Sequence, residues 1–72
     1  MTKRSLTVAG HRTSVSIEEP FWQAIAEVAA ARRLSVTALI AAIDRDRPPA
    51  TNLSAAVRLF VLAWYRDKAA GR

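Results

Sequence analysis

Residues 12–20 read Arg12-Thr13-Ser14-Val15-Ser16-Ile17-Glu18-Glu19-Pro20, and this stretch decides the fold. Thr13, Val15 and Ile17 fall on one side of an extended chain, and Arg12, Ser14 and Ser16 on the other. That period of two is the pattern of a half-buried strand. Glu18-Glu19-Pro20 then opens a helix. A proline in the first turn loses no N–H that the helix needs, and the two acids complement the positive end of the helix dipole.

Upstream, Leu6 and Val8 form a second short alternation of opposite phase. The switch falls at Ala9-Gly10, where Gly10 is read as a bulge or a break. A tight hairpin through Ala9-Gly10 is the weaker alternative. A type I′ turn needs positive φ at both loop residues, and alanine resists that.

Downstream, Phe21, Trp22, Ile25, Val28 and Ala29 recur at helical spacing, with Arg32 and Arg33 at the end that favours cations. Leu34-Ser35 breaks the pattern. Ser35 caps a second helix with Val36, Leu39, Ile40 and Ile43 on one face, ending near residues 45–47 because Pro48-Pro49 cannot continue it. After a short loop, Ser54 or Asn52 caps a third helix through about Lys68, closed by Gly71. Its apolar face is Val57, Phe60, Val61 and Trp64. Phe21, Trp22, Ile25, Val28, Leu39 and Ile40 are expected in the core. Trp64 and Tyr65 either cap that core or face a partner.

The whole is one small domain of 72 residues, 51% apolar. The expected fold class is mainly α with one β-strand. A lone core of this size is marginal and calls for a staple. There are no cysteines, and His11 is the only histidine, so disulfides and thiolate zinc sites are excluded. The remaining staple is a partner chain. One strand cannot leave its backbone groups unpaired, and its simplest partner is the same strand of a second copy, antiparallel about a two-fold axis. The expectation is therefore a homodimer with an intermolecular two-stranded antiparallel ribbon and an extra C-terminal helix.

Lysine and arginine number 11 against 6 acids, a net charge of +5 that favours a polyanionic partner. The apolar stretch from Leu53 to Tyr65 carries Arg58 and is too short to span a bilayer. No apolar run follows Met1-Thr2-Lys3-Arg4, so no signal peptide is read and a cytoplasmic location is expected. The cations Arg58, Arg66 and Lys68 are too sparse for a membrane-surface helix. The acids Glu18, Glu19, Glu27, Asp44, Asp46 and Asp67 are scattered or flank helix ends. With Gly10 and Gly71 as the only glycines there is no phosphate-cradling loop, and no metal-ligand spacing occurs. The chain is expected to be no enzyme and to need no cofactor or metal.

The run from Arg12 to Ile40 resembles the ribbon-helix-helix (Arc/MetJ-type) family of DNA-binding proteins. The resemblance rests on a strand ending in Ile17, the acidic-proline helix start, Phe21-Trp22, Ile25 and Val28, the Leu34-Ser35-x-Thr37 turn, and Leu39-Ile40. Gly10 to Ser16 and Asn52-Leu53-Ser54 resemble a subgroup with an added C-terminal helix. There are departures. Family members usually carry glycine, at positive φ, where this chain has Arg33. Their second helix runs on where this chain has Asp44 and then Pro48-Pro49.

The resemblance implies a basic N-terminal arm over 1–10, a ribbon-helix-helix core over 11–47, and a loop and third helix over 48–72. It further implies double-stranded DNA as partner, with Arg12, Ser14 and Ser16 of each subunit reading bases in the major groove. Ser35, Val36 and Thr37 would bind phosphate at the start of the second helix. Lys3, Arg4 and His11 would lie along the backbone, although a solvated tail explains Lys3 and Arg4 as well. A bacterial or phage transcriptional repressor or autoregulator is the implied role. The alternative is an antitoxin-like interaction module whose third helix binds a partner protein through Phe60, Val61 and Trp64.

Overall fold

A computed structural model describes residues 1–71; Arg72, the last residue of the 48–72 segment, lies outside the described residues. The chain runs β1 (Thr2–Val8), β2 (His11–Ile17), α1 (Glu19–Ala31), α2 (Val36–Asp46) and α3 (Leu53–Ala69).

Two strands stand where the sequence reading expects one. β1 and β2 pair antiparallel, from Thr2 opposite Ile17 to Val8 opposite His11. Ala9 has φ 52° and Gly10 φ 80°, so both loop residues take the positive φ of a two-residue hairpin turn. Residues 2–8, expected within a basic arm, are thus a strand, and β2 finds a partner inside the chain. The opposite phases of the two alternations follow directly. In this register each even position of β1 faces an odd position of β2, so Leu6 and Val8 share the inner face with Val15 and Ile17. Gly10 is neither bulge nor break but the second turn residue.

The left-handed conformation costs Ala9 about 1–2 kcal/mol. Burial of Val8, 4% exposed and beside the turn, contributes about 1.5–3 kcal/mol and offsets it. Asparagine tolerates positive φ far better, and Asn-Gly is the strongest two-residue hairpin signal. Ala9→Asn is therefore expected to stabilise the protein by up to about 1 kcal/mol, read as a higher urea midpoint with unchanged slope. An unchanged or lower midpoint would show that the strain at Ala9 is relaxed in some other way.

The helices begin and end where local chemistry dictates. α1 starts after extended Glu18, with Pro20 in its first turn. It ends in paired backbone bonds: Leu34 N–H donates to the Ala29 carbonyl at 2.8 Å and Arg33 N–H to the Ala30 carbonyl at 3.1 Å. This closure requires a left-handed residue, and Arg33 supplies it at φ 58° where glycine is the usual choice. Arg32 and Arg33 sit just past the last turn, not within it. α2 is capped by Ser35, whose Oγ accepts from Ala38 N–H at 3.0 Å. At its far end Arg47 donates to Asp44 and to the Thr51 carbonyl, both at 2.7 Å, which ties the helix to the loop. Asn52 caps α3, its Oδ1 accepting from Ala55 N–H at 2.8 Å, which leaves Ser54 for another role. Gly71, φ 77°, closes α3.

The core lies between the inner face of the hairpin and the three helices. Val8, Val15 and Ile17 meet Trp22, Ile25 and Val28 of α1, Leu39, Ile40 and Ile43 of α2, and Leu53, Val57 and Val61 of α3. β1 packs on the α2 side and β2 on the α3 side. Phe21, expected in the core, is only partly buried against it. Trp22 is buried, and its Nε1 donates to the Thr2 carbonyl at 2.9 Å, pinning β1 to α1. Among the described residues no buried side-chain nitrogen or oxygen lacks a partner.

Candidate nucleic-acid interface

The hairpin splits its side chains between two faces. The inner face is core. The outer face carries Lys3 opposite Ser16, Ser5 opposite Ser14, and Thr7 opposite Arg12. All are exposed except half-buried Ser16. This surface holds two cations, four hydroxyl groups and no carboxylate. Arg12, Ser14 and Ser16 lie together on it. Ser5 and Thr7 are members that the sequence reading missed. Their signal was the phase inversion at Ala9-Gly10, which in a two-residue hairpin puts odd positions of β1 beside even positions of β2.

Lys3 and Arg4, expected together in an arm, point to opposite faces. Arg4 approaches Glu19 at 3.5 Å and holds its guanidinium 4.6 Å from the Trp22 ring. Thr2 Oγ1 donates to the same Glu19 at 3.0 Å. Arg4 therefore fastens β1 to α1, while Lys3 is exposed on the outer face. His11 is exposed at the tip of the hairpin, opposite Val8 and on the helix side of the sheet.

Alternation in an antiparallel pair aims the backbone N–H and C=O of Arg12, Ser14 and Ser16 away from β1, toward the outer edge of β2. Part of that edge is occupied. Ser16 N–H donates to Ser54 Oγ at 3.1 Å, and Arg58 donates to the Ser16 carbonyl at 3.4 Å. Arg58 also donates to Glu18 Oε1 at 3.0 Å. Beyond Ser16 a groove runs along the edge between Ser14 and the loop at Pro49 and Thr51.

The Glu18 backbone N–H, and then the Arg58 guanidinium, hold the Glu18 carboxyl below the usual carboxylate range. A depressed acid stabilises the fold above its unfolded pKa, and the contribution is lost as pH falls through the folded value. Arg58→Gln is expected to narrow the gap in melting temperature between neutral and acidic pH. A gap equal to that of the unsubstituted chain would assign the depression to the backbone alone.

At the start of α2, Ser35 and Thr37 are exposed and Val36 is half-buried. The Ser35 hydroxyl is engaged as the cap, so an anion there would meet first-turn amides more than that oxygen. The partner surface expected at Phe60, Val61 and Trp64 is not supported. Val61 is buried, and Phe60 and Trp64 stack on one another, 6.5 Å between ring centroids, against the core. The apolar groups that α3 does expose are Leu59, Leu62 and Tyr65. Among the described residues there is no group of metal-ligating side chains, and no helix is long and apolar enough to cross a membrane.

A family model described as a ribbon-helix-helix domain matches residues 1–65. The chain matches no curated protein and no solved structure. The match spans both strands, α1, α2 and most of α3, and so includes the hairpin with its polar outer face. With nine-tenths of its length inside that match, the chain belongs to the ribbon-helix-helix domain family, which supports a DNA-binding or regulatory role at the level of the family.

Proposed function

We propose that the protein binds double-stranded DNA as a homodimer, laying the outer face of its hairpin in the major groove, and acts as a bacterial or phage transcriptional repressor or autoregulator. The observation that carries this reading is the carboxylate-free face of Lys3, Ser5, Thr7, Arg12, Ser14 and Ser16 on a chain of net charge +5. In the dimer the two central β2 strands would form the two-stranded ribbon whose width suits the major groove, with a β1 flanking each side. Arg12 has the fork geometry to grip guanine O6 and N7. The hydroxyls discriminate less, and Lys3 supplies charge toward phosphate. Ser35, Val36 and Thr37 remain candidates for a phosphate contact at the α2 N-terminus. Dimerisation draws support from the open part of the β2 edge, where the N–H and C=O groups of Arg12 and Ser14 can add a strand of a second copy. The role is one of binding, without catalysis.

The test is selection of bound sequences from a random duplex pool. A motif with two-fold symmetry supports both the groove reading and the dimer. An asymmetric motif removes the dimer. Enrichment of no sequence, with binding that vanishes at physiological salt, removes specific recognition altogether.

A further inference from the structure

Away from the hairpin, a cleft of about 390 Å³ opens where the ends of α1 and α2 meet the start of α3. None of the outer-face residues lines it. Its apolar surface comes from Ile43, Ala56, Leu59 and Phe60, and the charged residues that line it are Arg32, Arg45, Asp46 and Arg47. Leu59 is 60% exposed, which is costly for a leucine that nothing covers.

The charges at the rim are not equivalent. Arg47 is committed to Asp44 and the Thr51 carbonyl. Arg45 lies 3.7 Å from Asp46 in an exposed pair, which holds neither group firmly. Among the described residues Arg32 faces no carboxylate within salt-bridge range; its guanidinium lies 6.0 Å from the centre of the Phe60 ring, above the apolar surface of the cleft. Nor is Arg32 needed to neutralise the end of α1. The carbonyls of Val28, Ala29 and Ala30 already accept from the backbone N–H groups of Arg32, Arg33 and Leu34. The Arg32 side chain is thus a cation with no acidic partner among the described residues, beside an uncovered apolar surface, in a space of the size that holds small ligands.

We propose that this cleft binds an amphipathic organic anion: a single carboxylate paired with Arg32, its aliphatic or aromatic body lying on Ile43, Ala56, Leu59 and Phe60. A carboxylate matches the guanidinium fork, and the apolar body covers Leu59. A neutral molecule of the same shape gains the second contact and not the first. The site is independent of the DNA reading, because no residue of the proposed groove-facing surface takes part.

The experiment titrates the full chain with decanoate, 1-naphthoate and neutral decan-1-ol, following the methyl signals of Ile43 and Ala56 by NMR. Saturable shifts at these methyls with either acid are expected, with decan-1-ol roughly tenfold weaker, the usual value of one charge-assisted contact. Saturation by decanoate alone identifies an aliphatic acid, and by 1-naphthoate alone an aromatic one. Arg32→Gln should weaken the acids roughly tenfold and leave decan-1-ol unchanged, while Arg32→Lys restores part of the loss. Leu59→Gln, at an exposed position that folding tolerates, should weaken all three. The proposal is overturned if neither acid saturates, if decan-1-ol binds as well as decanoate, if Arg32→Gln binds the acids unchanged, or if the shifts map to the hairpin.

Discussion

Trp22→Ala is expected to lower the stability of the fold by about 3–5 kcal/mol. Trp22 is the largest side chain in the core, 2% exposed, and its indole lies where α1 meets β1. Two losses combine. The first is the cavity left by the indole. The second is the hydrogen bond from Nε1 to the Thr2 carbonyl, which holds the first residue of β1. Arg4 adds to the effect, since its guanidinium rests on the Trp22 ring. A core in a chain of this size rarely yields more than about 3–5 kcal/mol, so the variant should be largely unfolded at room temperature. Trp22→Phe separates the two losses. It keeps most of the volume and removes the donor, and is expected to cost about 1–3 kcal/mol. Urea titrations followed by circular dichroism measure both. A Trp22→Ala protein that melts near the unsubstituted one would mean that β1 is held by the turn and not by α1.

Arg12→Ala is expected to reduce affinity for the selected duplex by about 1–3 kcal/mol and to relax preference at one base pair per half-site. The expectation rests on the proposed groove contact and on the exposed place of Arg12 opposite Thr7. Lys3→Ala should behave differently. It should weaken selected and scrambled duplexes alike and flatten the salt dependence, because a phosphate contact carries no base information. Arg4→Ala provides an internal control. Its guanidinium is turned toward Glu19 and Trp22, so DNA affinity should hold while stability falls by up to about 1 kcal/mol. Equal losses for Arg12→Ala on both duplexes would make Arg12 a backbone contact. A loss for Arg4→Ala as large as for Lys3→Ala would mean that the hairpin rearranges on DNA.

The helical half of the fold was legible because its signals are local. Pro20, Ser35, Pro48-Pro49 and Gly71 each act within a turn of their own position. The left-handed Arg33 was marked only through the family resemblance, as the place where family members carry glycine. The hairpin was less legible. Ala9 carries none of the chemistry that advertises a tight turn, so its strain is overruled only by burial of Leu6 and Val8 against residues far along the chain. The parity of the two alternations was visible, but it acquires meaning only when the number of turn residues is known. Ser5 and Thr7 of the outer face were missed for that reason. The choice between Asn52 and Ser54 as the cap of α3 was open for a similar one. Both are good caps, and what draws Ser54 away is Ser16, distant in sequence.

That bond between Ser16 and Ser54 has a geometric outcome. A second β2 added about a two-fold axis through Ser14 would bring Arg12 opposite Ser16, and would need the Ser16 backbone groups that α3 already holds. Centred on Thr13 instead, it would bring Arg12 opposite Ser14 and would leave Ser16 undisturbed. The first turns of α3 thus act as a doorstop on the sheet, deciding how far a neighbouring strand can slide before it halts. Since the spacing of reading elements along a duplex is fixed by where two such strands come to rest, a helix that carries none of the outer-face residues would set the stride of any assembly built on that edge.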